Sequence, residues 1–294
     1  MNTQFFPLVI GVVMLSLGLS LTLADFRRAA QIPRPIMVAL FCQTVVLPAI
    51  CFLIANLFSL PPALAVGLML VAAAPGGAFA NIFSHLADGD LALNLTLTAI
   101  NSVLSIVTLP LIVALSMSYF MDEGRTIPLQ YGKVIQLFAI IVAPVTIGML
   151  LRHRFPHRAE RLRGPVKLIA GIVVLAVGVL ALVTGWDTLA KHFAILGMAV
   201  LLLNIISLVV GYAVPRLMHL GRSQAIAISI EIGLHNAALA ITIGSSPQLL
   251  GNADMAVPAA LYGTIMPFVA ACFILVVNRI NRGDPASTPP SKRS

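Results

Sequence analysis

Charged residues are scarce in this chain. Asp, Glu, Lys and Arg make up 10% of its 294 residues, whereas apolar residues make up 59%. Ten residues are acidic, and Glu231 is the only one of them inside a long apolar stretch. A carboxylate at membrane depth is costly unless it faces a cavity, a cation or a partner. Glu231 therefore indicates an ion or substrate pathway.

Other absences exclude further classes of protein. The three cysteines lie in apolar runs without CxxC spacing, so they are interpreted as small buried hydrophobic residues. The chain has no HExxH motif, no pair of carboxylates at membrane depth and no Ser/His pairing within a span, so an intramembrane enzyme is not expected. The net charge of +8 lies mainly in short connections between apolar runs, which argues against binding to nucleic acid.

Nine long apolar runs predict an all-α polytopic membrane protein. A run of about 20 apolar residues is long enough for a helix to cross a hydrocarbon layer roughly 30 Å thick. The runs are continuously apolar, unlike the alternating strands of an outer-membrane barrel. The predicted spans are 5–23, 36–57, 62–86, 91–119, 134–151, 166–184, 193–214, 223–243 and 255–277. They form one transmembrane domain over 1–281, and the tail 282–294, rich in Pro, Ser and basic residues, is expected to be disordered.

The basic residues predict how the spans are oriented. In a nine-span arrangement, fifteen of the eighteen Lys and Arg residues fall on one side of the membrane. Because short cytoplasmic connections carry an excess of Lys and Arg, that side is predicted to be cytoplasmic. The N-terminus then lies outside and the C-terminal tail lies inside.

The third span contains a sequence that disfavours a continuous helix. Residues 74–81 read APGGAFAN and lie about halfway along the apolar run. Proline removes a backbone donor and clashes with the preceding turn, while Gly76 and Gly77 lower the cost of leaving the helix. We expect a helix broken at membrane depth, where carbonyls can hold a cation and the next helix N-terminus attracts an anion. The alternative is a proline kink that serves packing.

The fourth span carries a stripe of polar residues. Asn94, Thr98, Asn101, Ser105 and Thr108 follow helical spacing and share one narrow face. That face is predicted to point into the protein. For Asn94 and Thr98 we favour coordination of an ion, whereas Ser105 and Thr108 are expected to bond to neighbouring helices.

The eighth span carries a polar cluster around Gly233, formed by Glu231, His235 and Asn236. Glycine alone is weak evidence for a break, so a polar cluster is predicted here and an unwound segment is not. A Glu231–His235 pair on one helical face is the structural alternative. The two polar spans have opposite orientations, which fits an inverted-repeat transporter. The halves contain four and five spans, so a first helix is missing or lies upstream.

Three motifs together resemble those of the bile acid:sodium symporter family. They are PGGAFAN at 75–81, GDLALN at 89–94 with Thr98, and EIGLHNAALA at 231–240. The resemblance extends over nearly the whole chain and implies two five-helix inverted repeats, of which some members lack the first helix. It also implies two crossing broken helices, a core domain of spans 2–4 and 7–9, and a panel domain of spans 1, 5 and 6.

The resemblance also implies two sodium sites and a substrate site. The first sodium site would use Asn81, Asn94, Thr98 and Glu231, and this chain has Ala80 where the family usually has serine. The second would use the side chains of Glu231 and Gln43 together with the backbone carbonyls near Ile232 and Leu234. Its last ligand is a glutamine in the family, and this chain has His235 at that position. The backbone around Ala78 and the side chain of Asn236 would lie nearest to the substrate.

The implied function is secondary active transport. A family member of this kind would carry a small organic anion, pantoate-like or bile-acid-like, together with sodium across the bacterial inner membrane by alternating access. Sodium ions would be the coupling ions, and no other cofactor or metal is expected. Because histidine changes charge near neutral pH, a proton-coupled or uncoupled carrier that uses Glu231 and His235 is the alternative. A uniporter or exporter of the related arsenite-carrier type is a further alternative. That type is expected to have a cysteine near the first break, where this chain has Ala80 and Asn81, so it is disfavoured.

Overall fold

Helices account for all the regular secondary structure in the residues that the computed structural model describes, which are 5–20, 23–121, 131–184, 186–246 and 249–282. The predicted all-α fold is confirmed for these ranges. The helices are α1 Phe5–Ser20, α2 Leu23–Gln31, α3 Pro33–Phe41, α4 Leu47–Leu57, α5 Pro62–Ala73, α6 Ala78–Leu86, α7 Leu91–Phe120, α8 Tyr131–Arg154, α9 Pro156–Thr184, α10 Trp186–Leu217, α11 Arg222–Gly233, α12 Ala237–Ser245 and α13 Ala253–Arg282. A π-helical turn, Cys42–Val46, joins α3 to α4.

Four of the described helical segments are long and apolar enough to cross a membrane. They are Pro33–Leu57, Leu91–Phe120, Trp186–Leu217 and Ala253–Arg279. The predicted spans 62–86 and 223–243 each consist of two shorter helices. Those at 134–151 and 166–184 lie within α8 and α9, and α1 covers most of 5–23. The count of nine spans stays a prediction, and the tail beyond 282 lies outside the described residues.

The distribution of side chains is that of a membrane protein. Large apolar side chains face outward, among them Leu57 at 76% exposed and Phe268 at 71% exposed. Polar side chains such as Gln43, Asn94 and Glu231 are instead buried. A water-soluble protein keeps its charged groups at the surface, whereas a lipid environment favours apolar surface and internal polar groups. The chain is therefore a multi-pass membrane protein.

The two broken helices pack against long helices of the protein. The short helix α5 packs against α7 and α13, and α11 packs against α10 and α7. The second short helix of each pair follows directly after its partner. The helix α6 packs against α7, α11 and α13, and α12 packs against α13, α9, α5 and α1. Both ends of each broken helix are therefore held by long neighbours.

Candidate functional site

The third predicted span is broken at its Pro-Gly-Gly sequence. The helix α5 ends at Ala73, and the next helix begins at Ala78. Between them Ala74 is extended, with ψ 141°, so the chain leaves the helix completely. The prediction of a broken helix is confirmed, and the alternative of a proline kink within a continuous helix is wrong.

The eighth predicted span is broken as well. The helix α11 ends at Gly233 and α12 begins at Ala237. The expectation from the residues alone, that this segment is not unwound, is therefore wrong, whereas the second broken helix implied by the family resemblance is present. No proline lies in this segment, so the cause of the break is its tertiary environment.

The two breaks satisfy each other's backbone groups. The Gly77 N–H donates to the Leu234 carbonyl at 2.7 Å, and the Asn236 N–H donates to the Pro75 carbonyl at 2.8 Å. An isolated antiparallel bridge joins the two segments. Unpaired backbone groups are costly inside a membrane, and each unwound segment supplies the partners that the other needs. The crossing therefore stabilises both breaks together.

Glu231 lies at this crossing and is fully buried. Its Oε2 accepts a hydrogen bond of 2.6 Å from the Thr98 hydroxyl on α7. The Asn101 side chain and the Gly76 N–H also face the carboxylate, but Oε1 has no hydrogen-bond partner. A Cβ atom at Gly76 would overlap the carboxylate. The lack of a side chain at Gly76 thus leaves room for the Glu231 carboxylate.

Two asparagine side chains point further unpartnered oxygens into the protein. Asn94 donates through Nδ2 to the Ala227 carbonyl at 2.9 Å, and its Oδ1 has no partner. The Oδ1 atom of Asn81, in the first turn of α6, is likewise buried without a partner. Both atoms are acceptors, so a cation or a hydrogen-bond donor would satisfy them.

Gln43 and His235 share one backbone acceptor. The Gln43 amide donates to the Ala74 carbonyl at 3.1 Å and to the Ala72 carbonyl at 3.3 Å. His235 Nδ1 lies 3.0 Å from the same Ala74 carbonyl. A carbonyl can only accept, so Nδ1 carries the proton in this contact. Gln43 Oε1 and His235 Nε2 remain as buried acceptors without partners.

The predicted backbone ligands lie on the same unwound segment. In a continuous helix the Asn236 N–H would donate to the Ile232 carbonyl, but here it donates to Pro75. The Ile232 carbonyl therefore loses its usual helical partner. The Leu234 carbonyl, in contrast, already accepts from Gly77.

The residues predicted to lie near a substrate occupy the two new helix starts. Asn236 is half-buried and caps α12, because its Oδ1 accepts from the Leu239 N–H at 3.1 Å. Ala78 begins α6, although its side chain lies outside the described residues. Gly77 precedes it and offers no side-chain cap.

Comparison of the sequence with known proteins shows the family of this chain. Residues 7–214 match the profile of the Sodium Bile acid symporter family. The chain belongs to the sodium bile acid symporter family. The matched region includes the first break and α7 and ends before the second break.

Individual members of the family are similar over most of this chain. A rice protein described as a probable sodium/metabolite cotransporter, BASS2, is 29% identical over 98% of the chain and 66% of its own length. The Bacillus subtilis sodium-dependent transporter YocS is 26% identical over 88% of the chain and 78% of its own length. A human sodium-dependent organic anion transporter is 26% identical over 80% of the chain and 62% of its own length. The chain thus spans about two thirds of the rice and human relatives.

Two interpretations of polar residues in this family member need correction. No hydrogen bond joins Glu231 to His235 in the described structure, because α11 ends between them and each side chain has a different partner. The expected interhelical bonds of Ser105 and Thr108 are also absent among the residues that the structure describes. Their hydroxyls donate within α7, to the carbonyls of residues 102 and 104. Such bonds satisfy a hydroxyl in an apolar helix without any neighbour.

Two buried residues beside the second break are not among those predicted from the sequence. Asn204 on α10 and Tyr262 on α13 both bond to the Gly233 carbonyl. A lone asparagine within the apolar run 193–214 was the available signal, because a polar side chain at membrane depth requires a partner. Tyr262 gave no such signal, since tyrosine is enriched near the ends of membrane spans and position 262 is near the start of the predicted span 255–277.

Proposed function

We propose that this chain is a secondary active transporter that carries a small organic anion together with sodium. The anion is a carboxylate, pantoate-like or bile-acid-like, and the transporter works by alternating access in the bacterial inner membrane. The names of the relatives support sodium dependence and an organic anion or metabolite as cargo.

The observation that carries this proposal is a set of buried acceptors without partners. Six side chains are the candidate sodium ligands, and five of them bear such an atom. These atoms are Gln43 Oε1, Asn81 Oδ1, Asn94 Oδ1, Glu231 Oε1 and His235 Nε2. Buried polar groups are normally satisfied, so acceptors left without partners on these candidate ligands favour a cation as the missing partner.

The first site has the chemistry that sodium requires. Asn81, Asn94, Thr98 and Glu231 offer neutral oxygens and one carboxylate, and hard cations prefer oxygen ligands. One negative charge suits one monovalent cation. The second site offers Gln43, Glu231 and the carbonyls of 232 and 234, but it has a ring nitrogen at His235. We therefore propose the first site as the stronger sodium site.

The starts of α6 and α12 would receive the anion. Helix N-termini present free N–H groups and a partial positive charge. The Ala80 N–H already donates to the Gly77 carbonyl at 3.0 Å. Since Gly77 provides no side-chain cap for α6, the amides of Ala78 and Phe79 would donate to a carboxylate. Asn236 lies at the start of α12 and can donate through its side-chain amide.

The proposed movement divides the helices into two bodies. A core of spans 2–4 and 7–9 would contain both breaks, and a panel of spans 1, 5 and 6 would rock against it. The packing of α1 against α8 and α9 supports this panel. The two breaks, in spans of opposite orientation, support an inverted repeat. The excess of basic residues supports a cytoplasmic C-terminus.

A thermal-shift screen of small carboxylates would test the proposal. The purified protein is compared in sodium chloride and choline chloride at fixed pH. A bound ligand stabilises by mass action, by about 2.7 kcal/mol at a hundredfold excess over Kd. We expect the cargo to raise Tm in sodium and much less in choline. Equal shifts in the two salts would refute sodium coupling. Uptake that follows a pH gradient without sodium would indicate the proton-coupled carrier.

A further inference from the structure

A closed triangle of hydrogen bonds holds the end of α11. Asn204 donates through Nδ2 to the Gly233 carbonyl at 2.7 Å and to the Tyr262 hydroxyl at 2.7 Å. The Tyr262 hydroxyl donates to the same carbonyl at 2.9 Å. Both side chains are buried. Two long helices, α10 and α13, therefore meet at one backbone oxygen of the second break.

The direction of these bonds follows from the groups themselves. The Gly233 carbonyl can only accept, so the Asn204 atom that faces it is the amide nitrogen. The Tyr262 hydroxyl has a single proton, which it gives to the carbonyl while its oxygen accepts from the amide. Each bond thus fixes the partners of the other two. The loss of either side chain would leave the carbonyl with one donor.

The triangle lies between two candidate ion-binding side chains. Gly233 separates Glu231 from His235 in the chain, and the Tyr262 ring packs against the His235 ring with centroids 5.4 Å apart. A Cβ atom at Gly233 would overlap Leu208 of α10. The segment is therefore in close contact with α10. A small shift of the Gly233 carbonyl would move the side chains of Glu231 and His235.

We propose that Asn204 and Tyr262 are positioning residues for the cation site. They fix the Gly233 carbonyl, and through it they set the placement of the Glu231 carboxylate and of the adjoining Ile232 carbonyl. With two donors, the Gly233 oxygen is satisfied and does not compete for the ion. The positioning role is a property of the fold, whereas its effect on sodium rests on the proposed function.

Two variants and one control test this role. Tyr262→Phe removes one hydroxyl and keeps the ring, and Asn204→Leu removes the amide at nearly constant volume. Ser116→Ala is the control, because the Ser116 hydroxyl is buried but donates at 2.6 Å to Ile112 within its own helix. Ser116 also lies about 27 Å along α7 from Thr98.

Hydrogen–deuterium exchange measures positioning, and a sodium titration of uptake measures its consequence. In both variants we expect faster exchange in peptides covering 74–81 and 231–240, with no such change in the control. We also expect the half-saturating sodium concentration to rise about tenfold, as for other residues that orient ion ligands, with less change in maximal rate.

Unchanged exchange at the two breaks in both variants would overturn the positioning role. Faster exchange throughout the protein, with unchanged half-saturation by sodium, would also overturn it, because that result indicates general destabilisation. If wild-type uptake is independent of sodium, the proposed function fails, and the exchange pattern at the breaks still decides whether Asn204 and Tyr262 position the segment.

Discussion

Gly76→Ala should weaken sodium binding by displacing the Glu231 carboxylate. The backbone at Gly76 has no positive φ, so alanine is tolerated there on conformational grounds. The added Cβ would lie 2.6 Å from Glu231 Oε2, with Oε1 and the carboxyl carbon closer still. An ordinary contact begins at 3.4 Å, so the Oε2 atom must move by about 0.8 Å.

That displacement is large for an ion ligand. Ligand distances in a metal site are held within about 0.2 Å, and changes to residues that orient ligands typically cost ten- to a hundredfold in affinity. We therefore expect the sodium concentration for half-maximal uptake to rise ten- to a hundredfold. The corresponding loss of binding free energy is about 1.4 to 2.7 kcal/mol.

The neighbouring glycine provides a matched control. A Cβ atom at Gly77 would meet the His235 carbonyl at 3.1 Å, which a small adjustment relieves, and it does not touch the carboxylate. Uptake in membrane vesicles over a sodium titration should separate Gly76→Ala from Gly77→Ala. Equal half-saturation in Gly76→Ala and wild type would refute the placement of the ion at Glu231. An equal weakening of sodium binding in both variants would mean that the effect comes from disturbing the first break and not from contact with the Glu231 carboxylate.

Three further substitutions test the cation sites by sodium titration. Glu231→Gln removes a buried charge, so Tm without sodium should not fall while the sodium-dependent rise in Tm disappears; a retained rise contradicts a ligand role. Ala80→Ser adds a hydroxyl beside Asn81 and should lower the half-saturating sodium concentration; an unchanged or higher value contradicts a sodium site at this position. His235→Gln supplies an oxygen ligand and should steepen the dependence of uptake on sodium, whereas an unchanged Hill coefficient excludes a limiting role for His235.

Local sequence chemistry predicts the first break but not the second. Pro75 and its two glycines disfavour a helix wherever they occur, so the interruption of the third span follows from the sequence alone. The segment after Gly233 contains no such signal. Its backbone unwinds because the first break supplies the partners for its peptide groups, and that pairing depends on the tertiary fold.

The candidate site was partly predictable for the same reason. Glu231 and the stripe of Asn94 and Thr98 stand out because polar groups are rare in apolar spans. In the structure Thr98 donates to Glu231, and Asn94 donates to a backbone carbonyl of the helix that carries Glu231. Asn204 and Tyr262 act through a backbone carbonyl, and no spacing in the sequence connects them to it. Contacts of this kind arise only from the tertiary fold.

Sodium-driven uptake at equal pH on both sides of the membrane tests the central claim most directly. Membrane vesicles containing the wild-type protein or Glu231→Gln receive a labelled carboxylate identified by thermal shift, with either sodium or choline outside at the same pH on both sides. The account predicts rapid uptake only for the wild type in sodium. Equal uptake in choline, or sodium-dependent uptake by Glu231→Gln at the wild-type rate, would contradict it.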